Sequence, residues 1–144
     1  FVDPASKNCG WALFVDGDYA KGGAIQHNAG AGDRAAFQNI HEIQSDFVEL
    51  FLEEQPDLVF IERLVTKTHR YTHWSVGAIG AAAAGVGIPT EACIAIQSWQ
   101  AALKQSLGQD WKMERKTWEE KGYDSEDHYA AYLMGQYWMR RSSD

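Results

Sequence analysis

The amino-acid sequence predicts an α/β fold in which a mixed five-stranded sheet is flanked by helices. Three observations lead there. Short apolar or alternating runs cluster near the N-terminus around turn signals, two more short apolar runs follow, and segments with helical spacing separate and follow those two. That order points to a mixed sheet with helices on both sides. The 144 residues, of which 45% are hydrophobic and 23% charged, match a single globular domain over 1–144 and are too apolar for a disordered chain.

Phe1 to Asp3 and Gly10 to Val15 read as two strands joined by the polar, turn-forming run Pro4 to Asn8. A third strand is expected over Gly23 to His27, after the turn signal Asp16-Gly17-Asp18. From Asp33, a good N-cap residue, Phe37, Ile40, Ile43, Phe47, Val48 and Phe51 recur at helical spacing, so Arg34 to Glu54 is an amphipathic helix ended by Pro56. Leu58 to Ile61 is a short apolar run bounded by charges, as in a strand buried on both faces, and Glu62 stands at its carboxyl end. Trp74 to Gly87 is a Gly- and Ala-rich helix, and Ala92 to Ile96 a further buried strand. Ser98 can cap a helix through Leu107, residues 110–121 form a charged helix or arm, and Ser125 to Arg141 a last helix.

Charge and cysteine content narrow the classes of function. The net charge is −7, yet residues 1–62 carry three basic and eleven acidic side chains whereas 63–121 carry eight basic and five acidic. A locally basic face on an acidic protein is compatible with phosphate binding, and equally with a solvated surface. Two cysteines, Cys9 and Cys93, cannot build a disulfide framework, and no Cys and His spacing matches a structural zinc site, so a reducing, cytoplasmic setting is expected. Ser75 to Ile96 holds one charge, Glu91, but its apolar content is mostly Ala and Gly and Pro89-Thr90-Glu91 interrupts it, so no membrane span is expected.

Four carboxylates fall where chemistry can use them. Asp3 ends the first strand, Glu62 ends the fourth, and Asp124 and Asp127, three apart, share a face at the start of the last helix. If the first and fourth strands are neighbours, Asp3 and Glu62 stand side by side. Clustered carboxylates raise one another's pKa, and hard divalent ions with oxygen ligands relieve that repulsion. Two such ions about 4 Å apart can activate water and stabilise a leaving oxygen in phosphodiester hydrolysis. Each acid also has an ordinary structural use. Asp124 and Asp127 can serve a helix start, Glu62 can pair with Arg63 or Lys67, and Asp3 can be a turn residue before Pro4.

The run Phe1-Val-Asp-Pro-Ala-Ser-Lys-Asn-Cys-Gly-Trp-Ala resembles the opening motif of RuvC-type Holliday junction resolvases, in which an Asp precedes Pro, a small residue, Ser, a basic residue and a Gly-aromatic pair. Phe60-Ile-Glu-Arg resembles the second motif and Asp124-Ser-Glu-Asp127-His-Tyr-Ala-Ala-Tyr the third, in the same order and at similar spacing. The resemblance implies a ribonuclease H-like fold and an endonuclease that cuts four-way DNA junctions as a homodimer, in a bacterial or phage-infected cytoplasm. It implies catalytic and metal-binding roles for Asp3, Glu62, Asp124 and Asp127, with two Mg²⁺ per site and Mn²⁺ able to substitute. His128 and Lys116 are auxiliary candidates, and Arg63, Lys67, Arg70, Lys112, Arg115 and Lys116 candidates for DNA contact.

One departure is that the family's aromatic residue three after the strand-end Glu is here Val65, for which Tyr71, His73 or Trp74 can substitute. His69 and His73 are four apart but lack an evident third ligand, so DNA contact or packing explains them better than zinc. Trp111 and Trp118, interleaved with basic residues, are the tryptophans best placed to face nucleic acid. Cys9 reads as buried packing, since no base is evident beside it. Other classes compatible with parts of the pattern are a phosphate-binding ATPase or kinase relative, which needs a second nucleotide-clasping domain, a broader branched-DNA endonuclease, and a non-catalytic DNA-binding module.

Overall fold

The computed structural model describes residues 1–5, 7–27, 32–63, 70–93, 122 and 126–143. The helix expected from Ser98 and the charged segment 110–121 lie outside them, as do residues 94–96 of the last expected strand.

β1 (Val2–Asp3), β2 (Asn8–Val15), β3 (Asp18–Gln26), β4 (Val59–Glu62) and β5 (Thr90–Cys93) form one sheet in the order β3-β2-β1-β4-β5. β1 runs antiparallel to β2 and parallel to β4, and β4 is parallel to β5. The mixed five-stranded sheet is therefore as the sequence predicts. β3 is longer than expected, starting at Asp18 instead of Gly23. The cause lies in the turn. Asp16 (φ 53°) and Gly17 (φ 86°) both take positive φ, the pattern of a two-residue type I′ hairpin, so pairing begins at once with Val15 opposite Asp18. The largely exposed run Asp18 to Gly22 is a strand because of that turn and its backbone bonds, with Tyr19 alone packing inward, against Phe14 and Tyr132.

α1 (Asp33–Glu54) begins one residue before the sequence reading, with Gly32 at the cap position and Asp33 inside the first turn. Asp33 does not cap; its carboxylate accepts from Arg70 at 3.0 Å and from the Tyr71 hydroxyl at 2.7 Å. At the other end Gln55 turns left-handed (φ 48°) and returns its N–H to the Phe51 carbonyl before Pro56. Ala36, Asn39, Ile43, Phe47 and Phe51 are the buried face. Phe37, expected on that face, is 63% exposed, because it lies at the edge of an apolar stripe about 100° wide. α2 (Arg70–Gly85) starts four residues before the expected Trp74, since its first turn is polar and aromatic and carries no apolar period.

α1 and α2 cover one face of the sheet, where Val2, Cys9, Val59 and Ile61 meet Ile43, Phe47, Phe51 and Ile79. α3 (Glu126–Ser143) covers the other, where Tyr129, Leu133 and Met134 gather with Cys93, Phe1 and Phe60. Strand side chains alternate between faces. With Val2 and Ile61 on the α1/α2 side, Asp3 and Glu62 fall on the side of α3. Among the described residues no helix is long and apolar enough to cross a membrane.

Candidate active site

The parallel register of β1 and β4 places Val2 opposite Ile61, so the next residues, Asp3 and Glu62, leave the sheet side by side. Glu62 is 3% exposed, and beyond it the Arg63 N–H bonds the Cys93 carbonyl at 3.2 Å, which holds the end of β4 against β5. Asp127 arrives from the far end of the chain on the first turn of α3, where a carboxylate complements the helix dipole. The landing is close: a Cβ on Gly10 would lie 1.8 Å from the Asp127 carbonyl oxygen, so only glycine in β2 lets this turn reach the sheet. The Asn8 amide donates from Nδ2 to Asp127 Oδ2 at 2.9 Å. One residue on, buried His128 places Nε2 2.9 Å from the Tyr19 hydroxyl of β3.

Three of the four expected carboxylates are thus brought together, and Asp124 lies outside the described residues. Burial pushes Asp3 well above the usual carboxylate range, and the charges of Glu62 and Asp127, with both of which it shares hydrogen bonds, push it further. This crowding makes it costly to ionise the three groups together. Among the described residues, which do not include Asp124, no three His, Cys, Asp or Glu side chains are grouped so as to hold a metal ion. The chemistry of the donors still suits a hard divalent cation, because Asp3, Glu62 and Asp127 supply oxygen ligands and a mutual repulsion that such an ion would relieve.

The other candidates are distributed as follows. His128 is buried, with its ring against the Tyr19 hydroxyl. Arg63 is exposed at the carboxyl end of β4. Arg70 is exposed, paired with Asp33 at 3.0 Å, and lies 4.8 Å from the centre of the Tyr71 ring. Tyr71 packs edge-on to Trp74, which stacks on exposed Phe37 with centroids 5.3 Å apart. Lys67, Lys112, Arg115, Lys116, His69, Val65, Trp111 and Trp118 lie outside the described residues. Cys9 is fully buried, its thiol donating to the Ala5 carbonyl at 3.2 Å and pushed up to about 12 by burial, so it is no nucleophile. A cavity of about 430 Å³ lined by Leu13, Phe14, Leu50, Phe51, Leu58 and Val59 lies at the opposite end of the sheet and is separate from the carboxylates.

Sequence reasoning missed Asn8 and Tyr19. Strand alternation carried the signal for Asn8: it shares a face with Gly10, whereas Cys9 between them points into the opposite core.

A mixed sheet in this order, with acids at the ends of its first and fourth strands and at the start of a helix packed across them, defines a protein of ribonuclease H-like fold. No family model and no curated protein matches the chain. Among solved structures, the T. thermophilus RuvC in complex with a Holliday junction substrate aligns with 99% of this chain and 92% of its own, with a TM-score of 0.69 at 17% identity. A further Thermus thermophilus RuvC structure aligns with 98% of this chain and 94% of its own, with a TM-score of 0.62 at 16% identity. The chain has the RuvC fold over nearly its whole length.

Proposed function

We propose that this chain is a Mg²⁺-dependent endonuclease that resolves four-way DNA junctions as a cytoplasmic homodimer, leaving 5'-phosphate and 3'-hydroxyl ends. The observation that carries the reading is the convergence of Asp3, Glu62 and Asp127 from three separate elements on a fold shared with a protein solved on a Holliday junction. Asp3, Glu62 and Asp127, with Asp124, would hold two divalent ions, for which Mn²⁺ can stand in. Bound there, the ions supply charge to the scissile phosphate and lower the pKa of a water. The protein's own part is to fix the carboxylates: the sheet register aligns Asp3 with Glu62, and the contact at Gly10 brings Asp127 up to them.

Arg63 and Arg70, with Lys67, Lys112, Arg115 and Lys116, are the proposed phosphate contacts. Exposed Arg70 would exchange its pairing with Asp33 for a phosphate at little cost, since an ion pair this open to water is weak. The stacked rings of Trp74 and Phe37, with Tyr71 beside them, offer the aromatic surface that Val65 does not. For the dimer, α2 leaves Gly77, Ala81 and Ala84 exposed along one side while Ala78, Ala82 and Ala83 pack inward.

The test is cleavage of a synthetic four-way junction with and without Mg²⁺, by the wild type and by Glu62→Gln. Paired, Mg²⁺-dependent cuts are expected from the wild type. The variant should lose about a thousandfold or more in rate while binding the junction as well or better, because the neutral amide removes charge that holds the ion and repels phosphate. Equal cutting of flaps and forks would move the reading to a broader branched-DNA endonuclease, and Mg²⁺-dependent cutting by the variant would remove Glu62 from the site.

A further inference from the structure

We propose that Asn8 is a positioning residue for Asp127, an inference that rests on reading the carboxylates as a divalent-cation site. Asn8 opens β2, where its backbone pairs with Gln26, and the preceding carbonyl, that of Lys7, accepts from the His27 N–H at 2.7 Å. Its amide therefore projects from a strand end held against the end of β3 by two successive residues. Asp127, by contrast, stands in the first turn of a helix, where the backbone has fewer bonds of its own. The Nδ2 donor takes Asp127 Oδ2 at 2.9 Å, and Asp127 also shares a hydrogen bond with Asp3. The carboxylate is thus held between a neutral donor on β2 and its acidic neighbour on β1, in one orientation.

The other half of the amide argues the same way. Asn8 Oδ1 is buried and, among the described residues, meets no donor. Turned over, the amide would set this oxygen against the Asp127 carboxylate, acceptor against acceptor. Its orientation is dictated by Asp127. An apolar side chain of the same shape would avoid a buried acceptor without a donor, so what the amide adds at this position is the bond to the carboxylate. Groups that orient a metal ligand in this way commonly change ion affinity by 10–100-fold. The Tyr19–His128 contact joins the same hairpin to the same helix turn through a different pair of side chains, and so serves as the internal control for a mere tether.

The experiment is Mn²⁺ binding to the full chain in the absence of DNA, followed by the loss of the free-ion electron paramagnetic resonance signal. It compares wild type, Glu62→Gln, Asn8→Ala, Asn8→Leu and Tyr19→Phe, with melting in EDTA as the measure of folding. Both Asn8 variants are expected to bind Mn²⁺ roughly tenfold more weakly, to melt within a few degrees of wild type, and to recover cleavage at raised Mg²⁺. Tyr19→Phe should keep wild-type affinity. Wild-type affinity in both Asn8 variants, an equal loss in Tyr19→Phe, or failure of both Asn8 variants to fold overturns the positioning role alone. No Mn²⁺ binding by the wild type, or undiminished binding by Glu62→Gln, overturns the cation site and this inference together.

Discussion

Asp3 is the residue on which the site's electrostatics turn. Its carboxyl titrates well above the ordinary carboxylate value of 3.8, chiefly through burial and then through Glu62 and Asp127. A raised acid pKa means that the folded state binds the proton more tightly than the unfolded chain, so the associated stability is complete below the unfolded pKa and is lost as pH rises through the folded one. Without a cation, ionising the cluster therefore opposes folding. Asp3→Asn should raise the melting temperature on the order of 3 °C, from about 1 kcal/mol at this chain length. Differential scanning calorimetry at pH 7 checks this, and the gain should shrink as pH is lowered toward 4. The same residues show what a sequence reveals at this scale. Asp3 and Glu62 were legible because a carboxylate at a strand end is conspicuous in the local pattern. Asn8 was not, because its partner lies 119 positions away and nothing nearby announces it.

At the scale of elements, two glycines of β2 and its turn make contrasting predictions. Gly10→Ala drives a methyl group into the backbone of the first turn of α3, where neither strand nor helix can yield by the required distance. It should cost about 3 kcal/mol or more of stability and abolish cleavage, since displacing Asp127 by even 1 Å dismantles the site. Gly17→Ala meets no neighbour but adopts a positive φ in the type I′ turn, so it should cost about 1 kcal/mol and leave cleavage unchanged. Urea denaturation beside a junction assay separates the two. Helical spacing predicted α1 to within a residue, since a 22-residue helix has enough turns to define its face. It misplaced the edge of that face at Phe37, because the helix packs on α2 as well as on the sheet and Phe37 is claimed by Trp74. The true start of β3 was invisible, since the backbone angles of Asp16 and Gly17, not side-chain pattern, determine where the hairpin begins.

For the whole molecule the open questions are assembly and charge. A four-way junction has near two-fold symmetry, and two symmetric cuts require two sites related by the same axis. The exposed small residues of α2 offer a face that a second copy can approach closely. An arginine at Ala81 or Ala84, both exposed, should give a monomer that nicks junctions once without resolving them, readable by sedimentation and a nicked-product assay. Binding without divalent ions should weaken steeply with salt, because an acidic chain must make its phosphate contacts through the basic stretch from Arg63 to Lys121. Changing Lys112, Arg115 and Lys116 together to Ala should flatten that dependence by about three of the contributing contacts.

The meeting of β2 with the first turn of α3 also sets the order in which this protein is completed on the ribosome. The sheet residues Asn8 and Gly10 emerge early, whereas Asp127 follows Asn8 by 119 positions. At about 5–20 residues per second that is a delay of roughly 6–24 s. During it the nascent chain carries Asp3 and Glu62 but lacks the acid that joins them, and it lacks the helix that covers their face of the sheet. Any activity that needs Asp127 beside Asp3 and Glu62 is therefore confined to chains translated into their last helix.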